Sequence, residues 1–259
     1  MEMAIQLLFL VLGFVMLVKG ADLFVDGASG IATKFGIPQI VIGLTIVAMG
    51  TSAPEAAVSI TAAFAGNADI TIGNIVGSNI LNILIILGIS ALVYPLAIQK
   101  STLIIDIPVV LLATVILFLL GFDSKISRID GIIMLVVFAA YLFYLFTVAK
   151  KEASQKKLSE TTEHIQSEEN VTKEISLLKA LIFTVIGLVL IVGGSKFVVN
   201  SATAIAKALG LSQRFIGLTI VALGTSLPEL FTSVTAALKK NSDIAIGNIV
   251  GSNIFNILF

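Results

Sequence analysis

The 259-residue chain has no cysteine, a single histidine and few charges. Without cysteine there is no disulfide framework and no thiolate metal site. The one histidine, His164, stands in a polar stretch, where a solvated imidazole is the ordinary reading. Charged residues make up 12% of the sequence, against roughly 25% in a soluble domain. The formal net charge is zero, which gives no footing for a nucleic-acid partner. The period-two alternation of a transmembrane barrel is missing. So are a nucleophile–base pair and a cofactor loop, so nothing points to an enzyme.

What the chain does have is apolar length. Hydrophobic residues are 57% of the total and the mean hydropathy is +1.08. Runs near 4–25, 38–66, 71–94, 102–121, 130–149, 179–200, 213–238 and from 244 to the end approach the ~20 residues that cross a bilayer. The expectation is an all-α, multi-pass protein of the cell membrane, with the lipid bilayer as its surroundings. The first run has no basic leader and no small-residue cleavage site, so it reads as a retained span. Residues 150–174, "KKEASQKKLSETTEHIQSEENVTKE", are polar and charged and read as a flexible loop.

An internal repeat dominates the sequence. Residues 42–84 and 216–258 align without a gap at an offset of 174, with 31 identities in 43 positions. Gly, Thr, Ser, Pro, Glu and Asn all keep register. The offset spans five runs, an odd number, so the second copy enters the membrane the opposite way round. That predicts inverted-topology repeats, an architecture of secondary transporters that places the site near mid-membrane. The predicted organisation is a first five-helix repeat over 1–149, a cytoplasmic linker over 150–178 and an incomplete second repeat over 179–259. About eight spans are present of an expected ten, which reads as a fragment.

Basic residues suggest the orientation. With the 150–178 loop inside and the N-terminus outside, Lys19, Lys34, Lys100, Lys150, Lys151, Lys156, Lys157, Lys173, Lys179, Lys239 and Lys240 fall at the inner face. Lys125, Arg128, Lys196, Lys207 and Arg214 fall outside, in line with the positive-inside bias. "AG" at 65–66 also becomes "KK" at 239–240.

The chemistry sits in two motifs, each present twice. "GTSAPE" at 50–55 returns as "GTSLPE" at 224–229. Residues three and four apart share a helical face, so Thr51 and Ser52 lie one turn before Glu55, with Ser59 one turn after. Pro54 donates no backbone N–H and frees carbonyls around Met49, Gly50 and Thr51. Free carbonyls at membrane depth persist only where they line a cavity or meet another partner. Thr225, Ser226, Pro228 and Glu229 repeat the arrangement. "GNIVGSNILN" at 73–82 sets Asn74, Ser78 and Asn82 on one stripe, and its echo "GNIVGSNIFN" at 247–256 sets Asn248, Ser252 and Asn256. Gly73 and Gly77, with Gly247 and Gly251, are small-residue pairs suited to close helix approach.

A carboxylate at mid-bilayer costs about 2.5–3.5 kcal/mol, and the chain carries that cost twice. A bound hard cation would offset it. Two carboxylates, six hydroxyls, two amides and freed carbonyls are all oxygen donors, which suits calcium or sodium and not zinc or copper. Asp22, Asp26, Asp69, Asp106, Asp130 and Asp243 lie near span ends and read as solvated or interfacial acids.

With these motifs in both copies, the chain resembles the sodium/calcium exchanger family of the cation/calcium antiporter superfamily, and within it the prokaryotic type without regulatory domains. The resemblance implies ten helices in two inverted repeats, with the second, third, seventh and eighth around the ions and the first and sixth sliding to alternate access. It implies Glu55 and Glu229 as central carboxylates shared by Ca2+ and Na+. Thr51, Ser52, Thr225 and Ser226 would add hydroxyl or carbonyl oxygens, and Ala48 and Ala222 backbone carbonyls. Ser78 and Ser252 would line sodium sites, with Asn82 and Asn256 at the centre. Members of that family often carry an acid at the place of Asn256, where this chain has an amide. The expected function is exchange of Ca2+ for Na+ by alternating access. The alternatives are a cation/proton exchanger on the same scaffold, or a channel or non-transporting fragment.

Overall fold

The computed structural model describes the chain apart from residues 1, 124, 164–174, 213–219 and 221. His164 lies outside the described residues. Those described are helical or connecting, with no strand among them. We number the helices α1 Glu2–Phe35, α2 Gln39–Thr51, α3 Ala53–Phe64, α4 Asp69–Val93, α5 Thr102–Leu120, α6 Arg128–Glu163, α7 Leu177–Ala208, α8 Ala222–Thr225, α9 Leu227–Leu238 and α10 Ser242–Leu258.

Five of these, α1, α4, α5, α6 and α7, are long and apolar enough to cross a membrane, and α2 with α3 makes a sixth if that bent pair is one span. Their outer faces are bare hydrocarbon: Val11, Leu84, Leu111, Val136 and Val189 are all exposed. Only lipid solvates such a belt, and helices satisfy their own backbone inside it. The chain is therefore a multi-pass membrane protein. The seventh expected run begins in residues outside the described set, and its described part holds α8, with 4 residues, and α9, with 12. The eighth, α10, has 17.

The polar stretch after Lys150 is not a loop from its start. Helix α6 continues to Glu163, because Lys, Glu, Ala and Gln are strong helix formers whatever their hydropathy.

Helices α1 and α7 pack backbone to backbone. A Cβ on Gly20 would lie 2.9 Å from the Gly187 carbonyl, and one on Gly187 would lie 2.5 Å from the Phe24 nitrogen. Around this seam sits a core of Leu17, Phe24, Val25, Ile191 and Val198. Helix α10 runs through the centre. It meets α2 at Gly43 and Gly247, where a Cβ on Gly247 would be 2.8 Å from the Gly43 Cα. Gly251 is as tightly held by Leu44 and Ala48. Helices α5 and α6 cover its other side with Ala113, Met134, Phe138 and Tyr141 against Ile254, Phe255 and Ile257. No described atom lies within 4 Å of a Cβ on Gly73 or Gly77. The counterparts there of Gly43 and Leu44, Gly217 and Leu218, are outside the described residues.

The turns of the two sequence copies match. Gly36 and Gly210 end α1 and α7 with positive φ, and Gly66 ends α3 at φ 75°. The counterpart of Gly66 is Lys240, which takes the same left-handed conformation at φ 59°. The carbonyls satisfied are equivalent too: Asn67 N–H donates to Ala62 at 2.9 Å, and Asn241 N–H to Ala236 at 2.8 Å.

Candidate ion site between the two sequence copies

Two broken helices build the site. Between α2 and α3 the chain turns at Ser52 (φ −81°, ψ 5°) and the axis bends by 49°. Between α8 and α9 Ser226 repeats it (φ −87°, ψ 4°). In each case the proline takes the second position of the new helix, where its missing N–H costs nothing. The carboxylate follows in the first turn of α3 or α9. There the free N–H groups of the helix end favour negative charge.

The structure brings the two motifs together crosswise. The Ser52 hydroxyl donates to Glu229 Oε1 at 2.7 Å, and the Ser226 hydroxyl donates to Glu55 Oε1 at 3.1 Å. Each carboxylate is thus held by a serine from the other copy. Glu55 is 2% exposed and Glu229 1%. Thr51 donates to Asn248 Oδ1 at 2.9 Å and lies 3.2 Å from the Ala48 carbonyl. The Ser252 hydroxyl points at that same carbonyl from 3.5 Å. Ser78 is buried on the α4 stripe, Thr225 is half-buried beside Ser226, and Ala222 opens α8.

Asparagines form the rest of the framework. Asn74 Nδ2 donates to the Glu55 carbonyl at 3.1 Å and to Ser59 at 3.0 Å. Asn248 Nδ2 donates to the Glu229 carbonyl at 3.3 Å and to Ser233 at 2.9 Å. These are the same bonds in the two copies. Deeper in, Asn82 Nδ2 donates to Asn253 Oδ1 at 2.9 Å, and Asn256 Nδ2 donates to Asn79 Oδ1 at 3.1 Å. Every position in this network equals its counterpart plus 174. Ser59 stood one turn after Glu55 in the motif without an assigned role, and Ser233, Asn79 and Asn253 were not among the candidate residues from sequence. The signal available was their identity in both copies.

Among the described residues four buried carboxylate or amide oxygens have no hydrogen-bond partner: Glu55 Oε2, Glu229 Oε2, Asn82 Oδ1 and Asn256 Oδ1. They too fall into two pairs offset by 174. Among the described residues no lysine or arginine is buried to neutralise the pair. Of the carbonyls that the prolines free, that of Gly224 is taken by the Ser195 hydroxyl at 2.7 Å. Ala21 stands at the matching place in α1, with no hydroxyl to offer Gly50.

The two halves differ in access. A cavity of about 160 Å3 runs beside Glu55, lined by Ser59, Ala63, Thr71, Asn74 and Phe259. The matching Ser233, Ala237, Ala245 and Asn248 are fully buried. Helix α1 lies over them, with Leu17, Val25 and Ala28 in one core with Ala236, Ile244 and Ala245. Among the described residues α7 makes no comparable packing against α3 and α4. Lys239 fastens the closed side, with Nζ 2.7 Å from Asp22 and 2.6 Å from Asp26. Asn241 there donates to Ser29 at 3.0 Å, and Gln99 to Asp243 at 2.7 Å.

One acid differs from expectation. Asp106 is not solvated at a span end. It is 4% exposed and accepts a 2.9 Å bond from the Tyr141 hydroxyl. A π-helical turn over Thr102–Asp106 rotates it inward from the start of α5.

Fold and site thus define a membrane-embedded helical protein with two acids buried at broken helices. Comparison with known proteins places it within that class. The chain matches the family model described as Sodium/calcium exchanger protein over residues 5–147 and 179–259. It is 42% identical to the "Putative antiporter CaxA" of Alkalimonas amylolytica, over 99% of this chain and 79% of that protein. It is 37% identical to the "Sodium/calcium exchanger MaX1" of Methanosarcina acetivorans, over 98% of this chain and 80% of that one. Among solved structures, the sodium-calcium exchanger NCX_Mj soaked with Na+ and Ca2+ superposes with a TM-score of 0.83 at 35% identity, covering 98% of this chain and 79% of that one. The chain belongs to the sodium/calcium exchanger family.

Proposed function

We propose that the chain is a secondary antiporter that exchanges Ca2+ for Na+ at the paired-glutamate site. The observation that carries this reading is the set of four buried, unpartnered carboxylate and amide oxygens, two of each, with no buried cation among the described residues. Unpaired buried acceptors are costly, and oxygen-only donors suit a hard cation. Calcium takes six to eight oxygens. Glu55, Glu229, Asn82 and Asn256 would supply four. The hydroxyls or carbonyls of Thr51, Ser52, Thr225 and Ser226, with the carbonyls of Ala48 and Ala222, would complete the cage. Ser78 and Ser252 would serve sodium at its flanks. Membership of the exchanger family supports both ions as substrates.

The pairing of the serine–glutamate bonds and of the Asn74 and Asn248, Asn82 and Asn256 bonds at offset 174 supports inverted repeats about this site. The difference in access supports alternation. The cavity beside Glu55 is lined by Ala63 and Thr71, and the matching place beside Glu229 is covered by α1. The orientation we assign puts the N-terminus and the 65–67 turn outside. Lys34, Gln99, Lys239 and Lys240 then stand inside.

The test is calcium uptake into proteoliposomes driven by an outward sodium gradient. Uptake is expected from the unaltered protein and is lost in Glu55→Gln and Glu229→Gln. Full uptake in both variants would refute the assignment. Uptake that follows a pH gradient and ignores sodium would make the proton the counter-ion.

A further inference from the structure

The end of α1 is tied to the turn between α9 and α10 by three polar side chains. Asn241 Nδ2 donates to the Ser29 hydroxyl at 3.0 Å and lies 3.4 Å from Gln39 Oε1. Gln39 in turn donates to the Ser29 carbonyl at 3.2 Å. At offset 174 the matching residues are Asn67, Thr203 and Gln213, each with the same side-chain chemistry. Gln213 lies outside the described residues. Asn67 holds the backbone conformation of Asn241, at φ −99° and ψ 71° against −98° and 77°. Its side chain is exposed and makes no capping bond, where that of Asn241 accepts from the Ile244 N–H at 3.1 Å. The Thr203 hydroxyl, in α7, is buried without a hydrogen-bond partner. A helical threonine can satisfy itself by bonding back to the carbonyl four residues before. Thr33, Thr45, Thr61 and Thr184 all do so, and Thr203 does not. An unpartnered buried hydroxyl is costly, and a donor brought to it recovers that cost.

We propose that Thr203 and Asn67 form a second latch, poised on the face of the 65–67 turn. When that side closes, Asn67 Nδ2 donates to Thr203 Oγ1, as Asn241 now donates to Ser29. This rests on the alternating access proposed above and names a contact that closes its other state. The two latches are unequal. Lys239 adds ion pairs with Asp22 and Asp26 to the first. At the second, Ala65 stands for Lys239, Lys196 for Asp22 and Asn200 for Asp26. No opposite charges meet there, and hydrogen bonds act alone. The state closed at the 239–241 turn is thereby the favoured one.

The experiment is cross-linking in the full chain, which has no cysteine of its own. Asn67→Cys with Thr203→Cys is treated in proteoliposomes with a short, reducible bifunctional methanethiosulfonate. Ser29→Cys with Asn241→Cys is the reference pair. Both pairs are expected to cross-link, and each cross-link is expected to abolish sodium-driven calcium uptake until a reductant restores it. Cross-linking of the reference pair with none between 67 and 203 overturns the second latch. So does a 67–203 cross-link that leaves uptake intact. Absence of uptake by the unaltered chain overturns the exchanger reading, and the yield of the 67–203 cross-link still decides the contact. The inequality is tested on Ala63→Cys with a neutral thiol reagent. Adding Ala65→Glu offers Lys196 a partner and is expected to lower the reactivity a few-fold, on the scale of a partly exposed ion pair. Adding Ala65→Lys, of similar bulk, is expected to leave it unchanged. Equal reactivity in the two backgrounds refutes the inequality.

Discussion

Each glutamate of the site is stabilised at one oxygen and left open at the other. Ser52 occupies Oε1 of Glu229, and Oε2 has no partner. A hydrogen bond to a charged group contributes about 1.5–3 kcal/mol. Ser52→Ala is therefore expected to lower the stability of the ion-free protein by about 2 kcal/mol. Because calcium binds the folded state and Ser52 is proposed as one of its ligands, added calcium should stabilise the variant less than the unaltered protein, so that the loss grows with calcium, measured as the melting temperature with and without the ion. An equal loss at all calcium concentrations would mean that Ser52 is structural only. Lys240 offers a simpler case. It holds the left-handed conformation that its counterpart Gly66 holds, at a cost of about 1–2 kcal/mol for a residue with a Cβ. Lys240→Gly gains that strain back, less the extra freedom of glycine in the unfolded chain. The net expectation is a rise of about 0.5–1 kcal/mol in stability, read from thermal unfolding in detergent. At this scale the sequence was legible in part: repeated Thr, Ser, Glu and Asn make up most of the hydrogen-bonded cluster that the fold brings together. Asn79 and Asn253 escaped because an asparagine within a packing motif does not reveal which neighbour its amide meets.

At the scale of elements, the seam between α1 and α7 is set by backbone contact. Gly20 and Gly187 leave no room for a Cβ, so a larger side chain must push the helices apart. Gly187→Val is expected to destabilise by about 1–3 kcal/mol, the usual cost of overpacking. It should do so without altering the bonds around Glu55 and Glu229. Calcium affinity measured below the melting temperature tests that separation. A loss of affinity as large as the loss of stability would mean that the seam and the site are one unit. Element boundaries were read unevenly from the sequence. The break after Thr51 was foreseeable, because proline cannot continue a hydrogen-bonded helix. The extension of α6 to Glu163 was not, because hydropathy reports burial in lipid and says little about helix propensity. The inward turn of Asp106 was equally hidden, since a π-helical turn changes which face a residue occupies without changing composition.

For the whole molecule, the decisive property is that two chemically matched half-sites have unequal surroundings. Ala63 is exposed and lines the cavity beside Glu55, whereas its counterpart Ala237 has no exposed surface beneath α1. No sequence comparison contains that difference, since both positions are alanine in the same register. It comes from where α1 lies, and the Lys239 contacts to Asp22 and Asp26 help to keep it there. The second copy of that turn has the lysine and the first has Ala65 and Gly66, so among the described residues the ion pairs lie on one side. The native chain lacks cysteine, so single-cysteine variants report without background. With a membrane-impermeant thiol reagent, Ala63→Cys is expected to react from the face of the 65–67 turn. Ala237→Cys is expected to resist the reagent applied to the other face. Adding Lys239→Ala to Ala237→Cys removes the fastening and is expected to raise its reactivity by a few-fold, in keeping with the ~1 kcal/mol scale of partly exposed ion pairs. Rapid reaction at both cysteines in the otherwise unaltered protein would describe a continuous pore, and alternating access would fall with it.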